Sequence, residues 1–158
     1  MRSGVCASRP RQMKKLIVIA TVVVGIFTLW FYSRHPLQTT VTIQNTTFVV
    51  DLAVTNKEKE RGLGGRDSLA PNHGMLFVYD HKEPYSYWMK DVRFPIDIIW
   101  IDDKTIVDIT RNVALSDKPL EQLPIYHPLA PVNKVLELNA GTVDRLGIQI
   151  GELVKITQ

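Results

Sequence analysis

A single cysteine, Cys6, stands in the 158 residues, and it lies before the longest apolar run of the chain. Everything after that run is free of thiols, which excludes disulfides, cysteine metal ligands and a cysteine nucleophile there. A lipid-modified leader cysteine would have to follow the run, so that route is excluded as well. Other signatures are also missing. No HExxH spacing is present, no P-loop lysine and serine follow Gly62, Gly64 and Gly65, and Ser68, Ser86 and Ser116 lack a nucleophile-elbow context. There is no internal repeat, no low-complexity tract and no long amphipathic helix.

Acidic residues are absent from the N-terminal end, where Arg2, Arg9, Arg11, Lys14 and Lys15 stand alone before Leu16. From Ser33 onward 14 basic residues face all 16 acidic ones. The pI of about 9.0 therefore belongs to the tail and is no nucleic-acid footprint. Charge is also absent from Leu16–Tyr32. At 1.5 Å per residue that run reaches roughly 26 Å, enough to span a bilayer. Trp30 and Tyr32 close it as interfacial aromatics do, and the five preceding cations place that side in the cytoplasm. A cleaved signal peptide starting at Met13 is the alternative, but no small-x-small site follows at Phe31-Tyr32-Ser33-Arg34-His35. The expected organisation is a basic cytoplasmic tail at 1–15, a transmembrane signal-anchor at 16–32, a linker at 33–40 and a domain at 41–158 outside the cytoplasm.

What is abundant beyond the anchor is β-branched and aromatic residues. The centre of the domain is Gly74–Asp102, two dense apolar runs around a polar break that hold two of the three tryptophans. Val41–Val54 reads as a hairpin turning at Gln44–Thr46. Thr55 and Glu58 form a capping-box pattern for a short helix, Asn56–Arg61, ended by Gly62. Strands are expected at Gly74–Asp80, Ser86–Lys90 and Ile96–Ile101, with Pro95 at a strand start, a turn at Asp102-Asp103-Lys104 and a return strand at Thr105–Thr110. Asn112–Pro131 holds four prolines and no element, the pattern of a binding loop or of a loop wrapping a barrel end. Val132–Leu138, a helix at Gly141–Leu146 and a strand at Leu153–Thr157 finish the chain. Seven or eight short strands and two short helices predict an all-β domain, a compact β-barrel or a jelly-roll-like sandwich, preceded by one N-terminal transmembrane helix.

An ordered set of motifs then falls into place: Arg61-Gly62-Leu63, Arg66, Leu69, Gly74-Met75-Leu76-Phe77, Trp88-Met89-Lys90, Pro95-Ile96-Asp97-Ile98, Leu136-Glu137 and Ala140-Gly141. Over about Val41 to Ile156 this set resembles the uncharacterised DUF192 (UPF0127) family. The resemblance implies a compact β-barrel or jelly-roll-like domain, often exported or membrane-anchored, with no established activity. Two positions depart from the family pattern: Gly64 stands where Met is frequent, and Asp91-Val92 where Asn-Thr is frequent.

Arg66, Trp88, Lys90, Asp97 and Glu137 are the candidate ligand-binding residues. A carboxylate inside Ile96–Ile101 is costly to bury unless an arginine or several donors surround it, so the plain reading of Asp97 is a pair with Arg66 or with backbone that locks the fold. The functional reading makes Asp97 and Glu137 a site, and at the limit an acid/base pair of the kind used in glycoside hydrolysis. Trp88, with Tyr85, Tyr87 and Phe94, is either core filling or a stacking platform for a sugar or peptide. His73, Asp80, His81 and His127 could bind a metal in principle but have no ligand spacing, and neither a metal nor another cofactor is expected.

The leading functional expectation is a non-catalytic binding module for an envelope saccharide or protein partner, held at the membrane and making no contact with nucleic acid. A carboxylate-dependent hydrolase acting on envelope polysaccharide through Asp97 and Glu137 is one alternative. A structural or assembly protein with an exposed apolar patch is the other.

Overall fold

The computed structural model describes residues 38–158, together with the single position Val22. The expected tail and transmembrane run fall outside the described residues. Among the described residues no helix is long and apolar enough to cross a membrane.

Alternating β-branched residues set the first hairpin, β1 (Thr39–Ile43) and β2 (Thr46–Ala53). Its turn places Gln44 at φ 53°. Strand β1 thus begins inside the stretch expected to be linker. The capping box forms as its residues dictate: the Thr55 side chain accepts from the Glu58 N–H, and the Glu58 carboxylate accepts from the Thr55 N–H at 2.8 Å. Those bonds start α1 (Asn56–Arg61) and hold the Glu58 carboxyl below its usual range, the Thr55 backbone bond contributing most.

The remaining strands are β3 (His73–Glu83), β4 (Ile96–Asp102), β5 (Thr105–Val113), β6 (Val132–Asn139) and β7 (Val154–Thr157). A second short helix, α2 (Thr142–Leu146), ends at Gly147. All seven strands belong to one sheet in the order β5-β4-β6-β3-β2-β1-β7. Its pairs are antiparallel except β2 with β3, where α1 lies in the crossover. The sheet curls into a half-barrel. At one end its two edges touch: Ile106 N–H donates to the Glu152 carbonyl at 2.9 Å, and Val154 N–H to the Lys104 carbonyl at 2.8 Å. A single curled sheet replaces the two stacked sheets of the sandwich alternative.

Central strands are buried on both faces, which is why Ile96–Ile101 reads as a continuous apolar run. One face carries Val41, Phe48, Leu76, Ile99, Leu136 and Val143 and is closed by α2; we call it the α2 face. The opposite face carries Met75, Phe77, Tyr87, Ile98, Trp100 and Val135; we call it the Trp100 face. Trp100 is fully enclosed, and its Nε1–H donates to Thr110 Oγ1 at 2.9 Å. β3 and β6 approach closely at Gly74, where a Cβ would stand 2.7 Å from Leu138 Cδ2 and 2.8 Å from the Glu137 carbonyl. No other residue fits that spacing without moving the strands.

Ser86–Lys90 does not form the expected strand. It makes one isolated antiparallel bridge, Tyr87 with Tyr126, and lies across the Trp100 face. Its alternation is real, Tyr87 and Met89 buried and Trp88 exposed, but it serves packing over the sheet and builds no ladder. The proline-rich stretch after β5 is irregular apart from one 3-10 turn at Leu120–Gln122, and the Tyr126 bridge docks it on Tyr87.

Candidate functional site

Two buried carboxylates lie on neighbouring strands, and the sheet separates them. Glu137 stands opposite Ile98 in the β4–β6 register, so its side chain shares the Trp100 face. Asp97, one residue earlier than Ile98, points to the α2 face. Asp97 is wholly buried, and both of its oxygens are occupied. Oδ1 accepts from the Asn112 N–H at 2.8 Å and Oδ2 from the Val143 N–H at 2.9 Å. The first bond fixes β5 where Asn112 takes φ 51°, and the second caps the start of α2. Asp97 is thus a backbone clamp, and the arginine partner considered for it goes elsewhere. Arg66 pairs with Asp51 at 2.7 Å. The paired-carboxylate geometry that glycoside hydrolysis requires does not arise from residues on opposite faces of a sheet.

Glu137 is in a different condition. It is 5% exposed, and its Oε2 has no hydrogen-bond partner. Burial pushes its carboxyl up to about 8, while the positive charge of Arg66 pulls the other way. The register explains that charge: Asp51, Met75 and Glu137 form one cross-strand row on the Trp100 face. Arg66, held on Asp51, therefore lies over the same row.

Around Glu137 is a slot of about 60 Å3, enough for one or two waters or the tip of a ligand. Phe77, Tyr79, Tyr87 and Leu63 line it, together with Lys59, Arg61, Trp88 and Lys90. The two tyrosine hydroxyls bond each other at 2.9 Å. Burial drives the Tyr87 hydroxyl far up, with smaller contributions from Tyr79 and Glu137. Burial likewise raises Tyr79. Both are neutral hydrogen-bonding groups at any physiological pH. Aromatic packing fixes them: Phe77 and Trp100 meet Tyr87 edge-on at 5.1 and 5.2 Å, and Tyr85 stacks on Tyr79 at 3.5 Å. The Lys59 ammonium stands 4.3 Å from the Tyr79 ring centre.

Trp88 is 47% exposed, with the Lys90 ammonium 5.9 Å from its ring centre. With Ser86, Tyr87 and Ile125 it forms an apolar hollow of about 150 Å3. A wider cleft of about 620 Å3 shares Glu60, Arg61, Lys90 and Val92 with the slot and adds Lys57, Gly64, Gly65, Asp91 and Arg93. The two positions that depart from the family pattern meet in this wall. Gly65 N–H donates to the Asp91 carbonyl at 2.9 Å, and a Cβ on Gly64 would stand 2.8 Å from the Arg61 carbonyl. Asp91 occupies φ 57°, a left-handed conformation that Asp and Asn tolerate best among residues with a side chain. The glycines make no anion nest, because Gly62, Gly64 and Gly65 spend their N–H groups on Glu58, Arg61 and Asp91 carbonyls.

Of the five candidate residues, Glu137, Trp88 and Lys90 line one slot, Arg66 stands behind it through charge, and Asp97 belongs to the other face. Sequence alone does not mark Lys59, Arg61 or Tyr79 as a site residue: Lys59 reads as a solvated helix face, Arg61 enters only through the Arg61-Gly62-Leu63 motif, and Tyr79 reads as a strand-end aromatic. His127 bonds Ser86 through Nδ1 at 3.3 Å. Among the described residues no three His, Cys, Asp or Glu side chains gather in a metal-binding group.

No curated protein matches the chain. Two solved structures are similar over most of its length. One, from Sinorhizobium meliloti 1021 and described as a candidate transcription regulator, is 35% identical with a TM-score of 0.67, covering 75% of this chain and 92% of its own. The other, a protein of unknown function from Novosphingobium aromaticivorans DSM 12444, is 30% identical with a TM-score of 0.67, covering 77% and 89%. Residues 38–156, from just before β1 into β7, match the family described as an uncharacterized ACR, and the chain belongs to that family, DUF192.

Proposed function

We propose that the protein is a membrane-anchored, extracytoplasmic binding module whose ligand enters the Glu137 slot beside Trp88. The observation that carries this reading is the unpartnered Glu137 oxygen buried in the wall of an open slot. Burying a polar atom without a partner costs about 1–3 kcal/mol, and a fold held together by Asp97-type clamps gains nothing from it. A ligand group that bonds that oxygen recovers the cost. The uncharged run Leu16–Tyr32 and the five cations before it support the anchor and the outward orientation. A regulator role of the kind given for the Sinorhizobium protein finds less support, since 13 basic residues face 16 acidic ones between Gln38 and Gln158. A hydrolase acting through Asp97 and Glu137 is not supported, for the reason of geometry given above.

The test is thermal unfolding of the full-length chain in detergent against a panel of saccharides and peptidoglycan fragments. A ligand at one hundred times its Kd adds about 2.7 kcal/mol, or a few degrees for a domain of this size. The shift is expected to vanish in Trp88→Ala, a surface change that alters stability by no more than ~0.5 kcal/mol. A panel without any shift, or a shift unchanged by Trp88→Ala and by substitution of Glu137, overturns the reading.

A further inference from the structure

The slot and the wider cleft are neighbours that share Glu60, Arg61, Lys90 and Val92 in their linings, and their chemistry differs in a way that describes a ligand. In the slot a buried carboxyl, which burial pushes up to about 8, and two bonded tyrosine hydroxyls offer both hydrogen-bond donors and acceptors. Along the walls stand five cations, Lys57, Lys59, Arg61, Lys90 and Arg93, against Glu60 and Asp91. Arg93 is engaged by Asp67, whereas Lys57, Arg61 and Lys90 have no ion pair among the described residues. This concentration of positive charge is local, since the domain as a whole has more acidic than basic residues. Beside the slot the half-exposed Trp88 ring presents a flat apolar surface.

We propose that slot and cleft form one composite site for an acidic saccharide: a hydroxyl enters the slot and bonds Glu137, and the carboxylate or phosphate of the same ligand lies among Lys57, Arg61 and Lys90. This rests on the binding-module reading and names the ligand class for it. An amine is disfavoured, although a lone buried carboxylate would suit one, because it would have to pass Lys59, Arg61 and Lys90. A neutral sugar leaves those three cations unused. A hydroxyl, which donates and accepts at once, matches a carboxyl that does the same. The ring of the sugar, with its apolar C–H face, fits the exposed side of Trp88.

Calorimetric titration of the full-length chain in detergent, using glucuronic acid, glucose 6-phosphate, glucose, adenosine monophosphate and inorganic phosphate, tests this. Both acidic sugars are expected to bind, with glucose at least tenfold weaker, the worth of one charge-assisted contact. Glu137→Leu should weaken the acidic sugars by about tenfold, one hydrogen bond, while Glu137→Gln, which keeps a donor and an acceptor, should retain them. Arg61→Ala and Lys90→Ala should each weaken binding and flatten its dependence on salt. Glucose binding as well as glucuronic acid, or adenosine monophosphate binding better than both sugars, overturns the acidic-saccharide assignment; the binding module survives if Glu137→Leu still weakens that ligand. Inorganic phosphate matching the sugars, with Glu137→Leu without effect, shows a surface anion site and overturns both. Absence of binding by every probe overturns the assignment of ligand class, and the wider unfolding panel then decides the module reading separately.

Discussion

The two faces of the sheet treat a buried carboxylate in opposite ways. On the α2 face Asp97 receives two backbone N–H groups and holds β4, β5 and α2 in place. On the Trp100 face Glu137, one strand away, is enclosed equally well and has an oxygen that nothing reaches. The burial is similar, and so is the chemical type. Only the partners differ. A buried carboxylate surrounded by its own backbone is architecture, and one with an open bond beside a cavity is available to something from outside. Burial alone would have ranked the two residues together.

Substitutions should separate the faces. The largest effect is expected from Asp97→Ala, which strands the Asn112 and Val143 N–H groups. At about 1–3 kcal/mol for each of the two orphaned donors, denaturant unfolding should show a loss of roughly 2–6 kcal/mol. The slot should hold its ligand in whatever fraction stays folded. A loss below about 1 kcal/mol would mean that Asp97 is no clamp.

Glu137→Leu should have the opposite sign. Below the usual value of 4.5 the carboxyl is protonated in both folded and unfolded states and burial carries no charge penalty. Because the folded value is raised to about 8, stability is lost as pH climbs from near 4.5 through 8, and the loss is complete above that. At roughly 1.4 kcal/mol per pKa unit the total is a few kcal/mol. Denaturant midpoints measured at pH 5 and pH 8.5 should therefore diverge between wild type and Glu137→Leu, the variant gaining at the higher pH. Parallel curves would place Glu137 in contact with solvent or with a partner.

A smaller change is expected from Tyr79→Phe, which removes the partner of the buried Tyr87 hydroxyl and should cost about 1 kcal/mol. Smallest in stability is Arg66→Ala. Its pair with Asp51 is half-exposed, so the loss should stay under about 1 kcal/mol. The informative readout is the Glu137 titration followed by carbon-13 NMR. Its midpoint should move upward when the nearby positive charge is gone, and an unmoved midpoint would show that Arg66 does not act on the slot.

Much of the fold was legible because local chemistry agrees with it. Thr55 and Glu58 write a capping box, Gly62 ends the helix, and Asp103 turns a hairpin at φ 54°. The buried run Ile96–Ile101 was recognisable as a strand covered on both sides. The reading of Ser86–Lys90 failed because alternation is shared by a strand in a ladder and a segment laid over a core, and only partners distinguish them. The site was half legible. Trp88, Lys90 and Glu137, three of the five candidates, line one slot, whereas the place of Asp97 depended on register. A register of Glu137 opposite Ile98 sends Asp97 to the other face, and a slip of one residue would have brought the two together. Nor could spacing foretell that Arg66 would settle on Asp51, across the β2–β3 crossover.

β1 and β7 pair antiparallel, with Thr40 beside Thr157. The chain therefore enters and leaves the domain at the same end of the same pair of strands. A force applied through the two termini would open this pair one rung at a time instead of shearing it, the weak direction for a sheet. The same adjacency makes the domain nearly circular. A short loop from Thr157 to Thr39, with new ends cut at the exposed Asp117-Lys118 in the irregular stretch after β5, should give a permuted chain that closes the same half-barrel.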